Sequence, residues 1–371
     1  MLSFIRWCYQ HALKPVLFCF DPSRVHHWFG HVGAWNGKRS FMRTIFKKLF
    51  GKTYPILDQS IDGLRYKAPC GIAAGFDKDV NLIEIMPSLG AGFHTIGSLT
   101  AKAYAGNPGP WLVRLPQDQS ILVNYGLKNL GINAHIPHLK VVSKDGLAQP
   151  LRISIAKTNC AQVCDIQEAI ADYCYSLKQL SKYHLWSVYE INISCPNAFG
   201  GEDFSKPRLL DQLLHEIKKL KLNKPLYLKM PADSSREQYE EILEMALRHG
   251  VKGVIVSNLT KKRELLTEKN QKKIAGISGG LSGRPCFALA LERIAQTYKY
   301  VDWKMTVVGC GGVFSAQDAY DMITHGASLV QLISWMIFVW PQLFAEINEG
   351  LVELLEKDGF DNISQAIGSR T

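Results

Sequence analysis

Glu190-Ile191-Asn192-Ile193-Ser194-Cys195-Pro196-Asn197 decides how the chain is read. Val188, Ile191 and Ile193 have the pattern of a buried strand, yet Asn192, Ser194, Cys195 and Asn197 crowd its carboxyl end with hydrogen-bonding groups. Burying such groups without partners costs several kcal/mol, so they are expected to be satisfied by a ligand or by one another. Pro196 stops the strand because it cannot donate to a ladder. A strand ending in an ordinary polar turn would look the same taken alone, but here the pattern repeats.

Apolar runs that end in polar or glycine residues recur near 69–74, 92–98, 151–156, 187–194, 225–230, 252–257, 305–310 and 328–333. Amphipathic helical patterns lie between them. One is signalled by Ser234 and Glu237 as a capping box, with Gly250 closing it; a later one is capped by Ser315 and ended by Gly326. Eight strands alternating with helices predict a (β/α)8 TIM barrel, whose sites lie at the strand carboxyl ends. A doubly wound sheet is the competing topology, and it would place its site at a switch point instead. The stretch 99–150 exceeds one connection and contains Asn107-Pro108-Gly109-Pro110, which predicts an excursion or lid over the barrel mouth.

The 371 residues, 47% apolar and 20% charged, are globular in composition. Nine cysteines without a CxxC pair argue for a reducing compartment, and Cys160 with Cys164 is weak as a metal signal, so no metal site is expected. Residues 1–57 hold nine cations against Asp21 alone, which accounts for eight of the chain's ten net positive charges. Trp and Phe residues are interleaved with those cations at helical spacing, as suits a membrane interface. Nucleic-acid binding is the alternative use of a basic aromatic surface, ranked lower because no such motif is present. No run is apolar enough to span a bilayer, and Arg6 and Lys14 interrupt the first apolar stretch, against a secretory signal. Helices are predicted from Phe4 to Leu17, from an Asp21 cap with Pro22 first, and from Phe41 to Phe50, ending at Gly51. The expected division is a helical membrane-associating segment over 1–53 and a barrel over 54–371. The expected location is the cytoplasmic face of a bacterial inner membrane, with the mitochondrial inner membrane as alternative.

Each strand end offers chemistry. The first gives Ala73-Ala74-Gly75-Phe76-Asp77-Lys78-Asp79, where small residues admit a flat ring and Lys78 supplies a cation. The second gives Gly97-Ser98-Leu99-Thr100, the fifth Lys229, the sixth Ser257-Asn258. Lys78, Lys229, Asn192, Asn197 and Asn258 would converge on one mouth and bind an anionic or carbonyl-rich planar ligand. Gly279-Gly280-Leu281-Ser282-Gly283, Gly309-Cys310-Gly311-Gly312 and Ser334 offer a phosphate grip where barrels often place one.

Gly71–Asp79, Ile191–Asn197, Gly279–Pro285 and Gly326–Gln331 resemble, in order, the motifs of the dihydroorotate dehydrogenases, and the similarity covers almost the whole chain. The start, with Asp21-Pro22-Ser23-Arg24-Val25-His26, is similar to their membrane-associated, quinone-reducing class. The resemblance implies FMN in the barrel, dihydroorotate oxidised to orotate in pyrimidine biosynthesis, and electrons passed to a membrane quinone. By position it implies substrate contacts from Lys78, Asn124, Asn192, Asn197 and Asn258. Contacts with FMN would come from Ala74, Gly75, Ser98, Lys229, Ser257, Gly283, Gly312 and Ser334. Cys195 would take the proton from substrate C5; an ordinary thiol pKa of about 8.5 makes that role depend on a lowered pKa or on coupled hydride loss.

The chain also departs from the family. Cys195 stands where the membrane-associated class generally has serine, and the loop Asn124–Gly131 is one residue shorter than usual. Ala198 and Leu259 replace common hydroxyls, and Trp335 a small residue. In the quinone tunnel His26 remains, while an arginine and a tyrosine position are read as Trp111 and Ile333. Two other functions therefore stay open: an FMN oxidoreductase acting on another dihydropyrimidine or cyclic imide, and a membrane-associated flavin-binding or scaffold protein that has lost turnover.

Overall fold

The computed structural model describes residues 1–142, 147–163, 165–198, 203–339 and 341–371; Cys164 lies outside them. Eight parallel strands close into a barrel: β1 (Cys70–Asp77), β2 (His94–Leu99), β3 (Leu151–Ile155), β4 (Val188–Asn192), β5 (Leu226–Lys229), β6 (Gly253–Val256), β7 (Thr306–Cys310) and β8 (Leu329–Leu332). Each pairs with its neighbours in chain order, and β8 pairs with β1. These are the eight strands expected from sequence, and the doubly wound alternative is excluded. Strands covered on both faces read as continuous apolar runs, which is why segments such as Gly253-Val254-Ile255-Val256 are legible.

The helix expected to start with Ser234 is capped one residue later. Ser235, in an extended conformation, accepts from the Gln238 amide, and Ser234 instead offers its carbonyl to Arg293. Ser315 caps Ala316–Thr324 as expected, although three further helices follow it.

The barrel floor is closed by an antiparallel hairpin, Gln59–Ile61 with Leu64–Tyr66. Above it the interior is polar. Arg152 and Glu190, both fully buried, pair at 2.5 Å, and the Gln331 amide donates to Glu190 at 2.8 Å and to Thr95 at 3.1 Å.

Before the barrel come α1 (Leu2–Cys8), a π-helical turn (Tyr9–Leu13), α2 (Lys14–Phe18), α3 (Pro22–Gly37) and α4 (Ser40–Phe50). The π turn runs into Pro15, which has no N–H to donate back along the helix. Asp21 caps α3 by accepting from Ser23 and Arg24, with Pro22 as first helical residue. These helices lie over the barrel mouth: Gly33 of α3 abuts Leu82, and the Tyr9 hydroxyl reaches the Ile337 carbonyl. Their outer face carries exposed Phe4, Trp7, Phe20, Trp28, Trp35 and Phe41. No helix among the described residues is long and apolar enough to cross a membrane.

The 99–150 excursion is partly a second sheet. Leu112–Leu115 and Ser120–Val123 form a hairpin, and Gly280–Gly283 pairs with the latter. The glycine stretch after β6, expected as a phosphate loop, is therefore a strand of the lid.

Candidate active site

Alternation along the lid hairpin decides which side chains meet the barrel mouth. Leu112 pairs with Val123 and Arg114 with Ile121, and all four face inward. Leu115 and Leu122 face the other way, into a small cluster with Leu266, Ile274 and Leu281. Trp111 and Asn124, one residue out of phase with the inward set, therefore turn from the cavity. Trp111 stacks on Tyr125 beneath the Lys128 ammonium. The Asn124 amide bonds to Asn107 and to the Pro108 carbonyl. Both belong to the expected site residues, and the structure brings neither to the cavity.

Below the lid lies a cavity of about 1270 Å³ including its open mouth. Ala74, Gly75, Lys78, Ser98, Asn192, Cys195, Asn197, Lys229, Ser257, Asn258, Gly312 and Ser334 all line it, as do Leu259 and Ile333. Gly283 does not: a Cβ there would strike the Gln119 carbonyl at 2.4 Å, so this glycine lets two lid strands approach. Trp335 stays out of the cavity and packs on Phe314 at 4.5 Å.

The polar strand ends satisfy one another in part. Asn192 donates to the Ser98 hydroxyl at 3.0 Å and accepts from Asn258 at 3.0 Å. Asn258 also donates to the Ser194 carbonyl at 2.7 Å, and Asn197 to the Val123 carbonyl at 2.8 Å. Asn107, missed by sequence reasoning, joins this set to the lid. It accepts from Tyr104 and Asn159 and donates to Asn124 and the Asn197 carbonyl, all at 2.8–3.0 Å.

Lys78 and Lys229 have no carboxylate partner in hydrogen-bonding contact among the described residues. Lys229 is 6% exposed, and its ammonium reaches the Cys310 thiol at 3.8 Å. Lys78 sits 3.6 Å over the Tyr125 ring. Burial pushes its ammonium down to about 8, with Lys128 adding to the shift and Asp79 and Asp77 opposing it. Such cations suit a ligand bearing carbonyl or carboxylate oxygens. Gly75, with φ +103°, leaves open backbone over which a Cβ would meet only Ile333, at 3.5 Å. A flat cofactor fits that surface, and the Gly311–Gly312 turn with the Ser334 hydroxyl, 2.6 Å from that of Ser282, suits its phosphate.

Of the three thiols on this cavity among the described residues, burial pushes Cys286 up to about 12, which makes it inert. Cys195 lies at the tip of β4 beside the asparagines, half-buried and open to the cavity.

A second cavity lies between the helical cap and the barrel, and it adjoins the first through His26, Phe76, Lys78, Leu112, Ile121 and Ile337. Its walls are mostly apolar. Arg114, which sequence reasoning missed in favour of Trp111, lines it; the guanidinium holds the Leu17 and Phe20 carbonyls at 3.3 and 3.1 Å and packs over Phe18. Its Nε has no partner among the described residues. The available signal was an arginine on the inward phase of an otherwise apolar strand. Burial, helped by the Lys78 charge, pushes the His26 imidazole down to about 3, so it is neutral near pH 7.

The family model described as dihydroorotate dehydrogenase matches residues 56–355. A dihydroorotate dehydrogenase (quinone) of Roseiflexus castenholzii is 33% identical over 364 residues, covering 96% of each chain. The enzyme of the same name from Allorhizobium ampelinum is 34% identical over 370 residues, covering 98% of this chain and 96% of its own. Among solved structures, DHODH from Eimeria tenella in complex with ferulenol superposes with a TM-score of 0.84 at 25% identity, covering 95% of this chain and 98% of its own. With a matching model over most of its length, relatives of one name and the barrel those relatives predict, the chain belongs to the dihydroorotate dehydrogenase family, a family of oxidoreductases.

Proposed function

We propose that the protein oxidises dihydroorotate to orotate, with FMN in the barrel cavity and a membrane quinone as electron acceptor, in pyrimidine biosynthesis. One observation carries the reading: Lys78, Asn192, Cys195, Asn197, Asn258 and Lys229, from four separate segments, line a single cavity that opens onto an apolar one beneath the helical cap.

In this reading Lys78 neutralises the substrate carboxylate, and Asn192, Asn197 and Asn258 exchange part of their mutual bonds for bonds to the substrate ring. Cys195 removes the proton from C5. FMN, when bound, takes up the hydride lost from C6, so that one proton and one hydride leave and the C5–C6 double bond forms. Ala74, Gly75, Ser98 and Ser257 hold the flat part of the cofactor. Gly312 and Ser334 would hold its phosphate, and Lys229 would be the residue to stabilise negative charge on a bound flavin. In the adjoining cavity Arg114 supplies the polar contact for a quinone head, with His26 at the junction and Ile333 on the flavin side. Residues 1–53 seat the protein peripherally on the membrane through their exposed aromatics and cations, at the cytoplasmic face of a bacterial inner membrane.

Anaerobic mixing of the purified protein with dihydroorotate tests the chemistry. Rapid bleaching of the flavin absorbance is expected. Bound flavin that stays yellow would favour another dihydropyrimidine or cyclic imide, a reading supported by Leu259 on the cavity wall and Asn124 turned away from it. Colourless protein would overturn both.

A further inference from the structure

The outer side of α3 carries a histidine pair that the proposed reaction does not use. His27 and His31 are four residues apart on one helical face, their Nε2 atoms are 2.9 Å apart, and their rings cross at 87° with centroids 4.4 Å apart. Two imidazole nitrogens this close accommodate one hydrogen between them, so at least one presents a lone pair. The Asp79 carboxylate, on the segment after β1, lies 3.9 Å from Nδ1 of His27. At that distance the carboxylate accepts no hydrogen bond from the ring, but its charge lies on the Nδ1 side, favours the proton there and leaves Nε2 of His27 as the ligating atom.

The spacing of the nitrogens also selects a geometry. Metal–nitrogen bonds of about 2.0–2.1 Å to atoms 2.9 Å apart enclose an angle of about 90°. A tetrahedral ion would require the nitrogens about 3.3 Å apart. Right-angle positions belong to tetragonal or octahedral ions with nitrogen ligands, the preference of Cu²⁺ and Ni²⁺. Among the described residues no group of three His, Cys, Asp or Glu converges as a metal cluster, so water completes the coordination.

We propose that His27 and His31 form a two-histidine site for a divalent transition-metal ion of the Ni²⁺ or Cu²⁺ class at the rim of the cavity under the helical cap, with Asp79 as the orienting carboxylate. A bound ion withdraws electron density from the His27 ring and makes its Nδ1–H a stronger donor towards the Asp79 carboxylate, 3.9 Å away. The ion thereby ties α3 to the strand end that carries Lys78.

Calorimetric titration of the full, untagged chain with NiCl₂ in a non-chelating buffer tests the site. One Ni²⁺ per chain is expected, bound more tightly than Zn²⁺. His27→Gln and His31→Gln are each expected to weaken binding at least tenfold, and Asp79→Asn to weaken it by less, since that carboxylate acts through its charge and not through a hydrogen bond. His184→Gln, on a distant surface, is expected to change nothing. Both α3 positions are exposed, and thermal unfolding of each variant checks that it is folded. Absence of one-to-one binding, or equal affinity in wild type and both α3 variants, would overturn the site. Tighter binding of Zn²⁺ than of Ni²⁺ would overturn the right-angle geometry. The outcome is independent of flavin bleaching, so failure here and failure of the proposed reaction are separately visible.

Discussion

Lys78 carries a charge that pH can switch in a workable range. Its ammonium is pushed down to about 8, so it is cationic below that pH and neutral above it. An anionic substrate held by it binds well in the acid range, and its KM is expected to climb by up to about tenfold per pH unit above 8, one proton being lost. A KM for dihydroorotate that stays flat to pH 9.5 would remove Lys78 from substrate binding. Cys195→Ala is expected to retain FMN yet slow its reduction by about 10²–10⁴, the usual size of an acid–base contribution, as measured by stopped-flow absorbance. An unchanged rate would show that another group takes the proton. Asn107 uses both amide hydrogens and receives two donors at its oxygen, so Asn107→Ala strands several partly buried polar groups. A loss of about 1–3 kcal/mol in urea unfolding is expected, together with a raised KM, because the Asn197 carbonyl loses its tether.

At the scale of elements, α1 to α4 show two faces with different duties. The inner face packs on the barrel through contacts such as Gly33 on Leu82 and Arg6 with Glu346, while the outer one leaves Phe4, Trp7, Trp28 and Phe41 in solvent together with Arg24 and Arg39. Interfacial helices bind by burying such aromatics while their cations meet anionic lipid. The double variant Phe4→Glu, Trp7→Glu is therefore expected to stay folded and to reduce dihydroorotate-dependent bleaching little. It should no longer sediment with anionic liposomes; full co-sedimentation would refute membrane seating through this face. The lid is likewise a two-faced element, with Leu112, Arg114, Ile121 and Val123 over the cavities and Leu115 and Leu122 against Leu266 and Ile274.

For the molecule as a whole, the buried Arg152–Glu190 pair lies at the centre of the barrel, where it links β3, β4 and, through Gln331, β8 beneath the cavity. Charges this deep are retained only as a pair. Glu190→Gln is expected to cost about 3–5 kcal/mol, because an unmatched guanidinium stays buried, whereas replacing both partners by apolar residues recovers much of that loss. Chemical denaturation of the single and double variants measures the difference; a single variant within 1 kcal/mol of wild type would contradict this account.

The barrel and most of the cavity were legible in the chain because parallel strands buried on both faces appear as apolar runs, and a site built at their ends appears as polar or glycine tips. Asn192 ends β4, with Cys195 and Asn197 just beyond it, and Asn258 follows β6 with equal plainness. The lid was not legible in the same way. Whether Val123 or Asn124, and Arg114 or Trp111, faces inward depends on the phase of a short strand, which a shift of one residue inverts. That phase is fixed by pairing with residues 280–283, more than 150 positions away, and by the apolar cover from Leu266 and Ile274. Local sequence thus determined the strands and what their ends carry, and only tertiary pairing decided which neighbouring side chain points at the ligand.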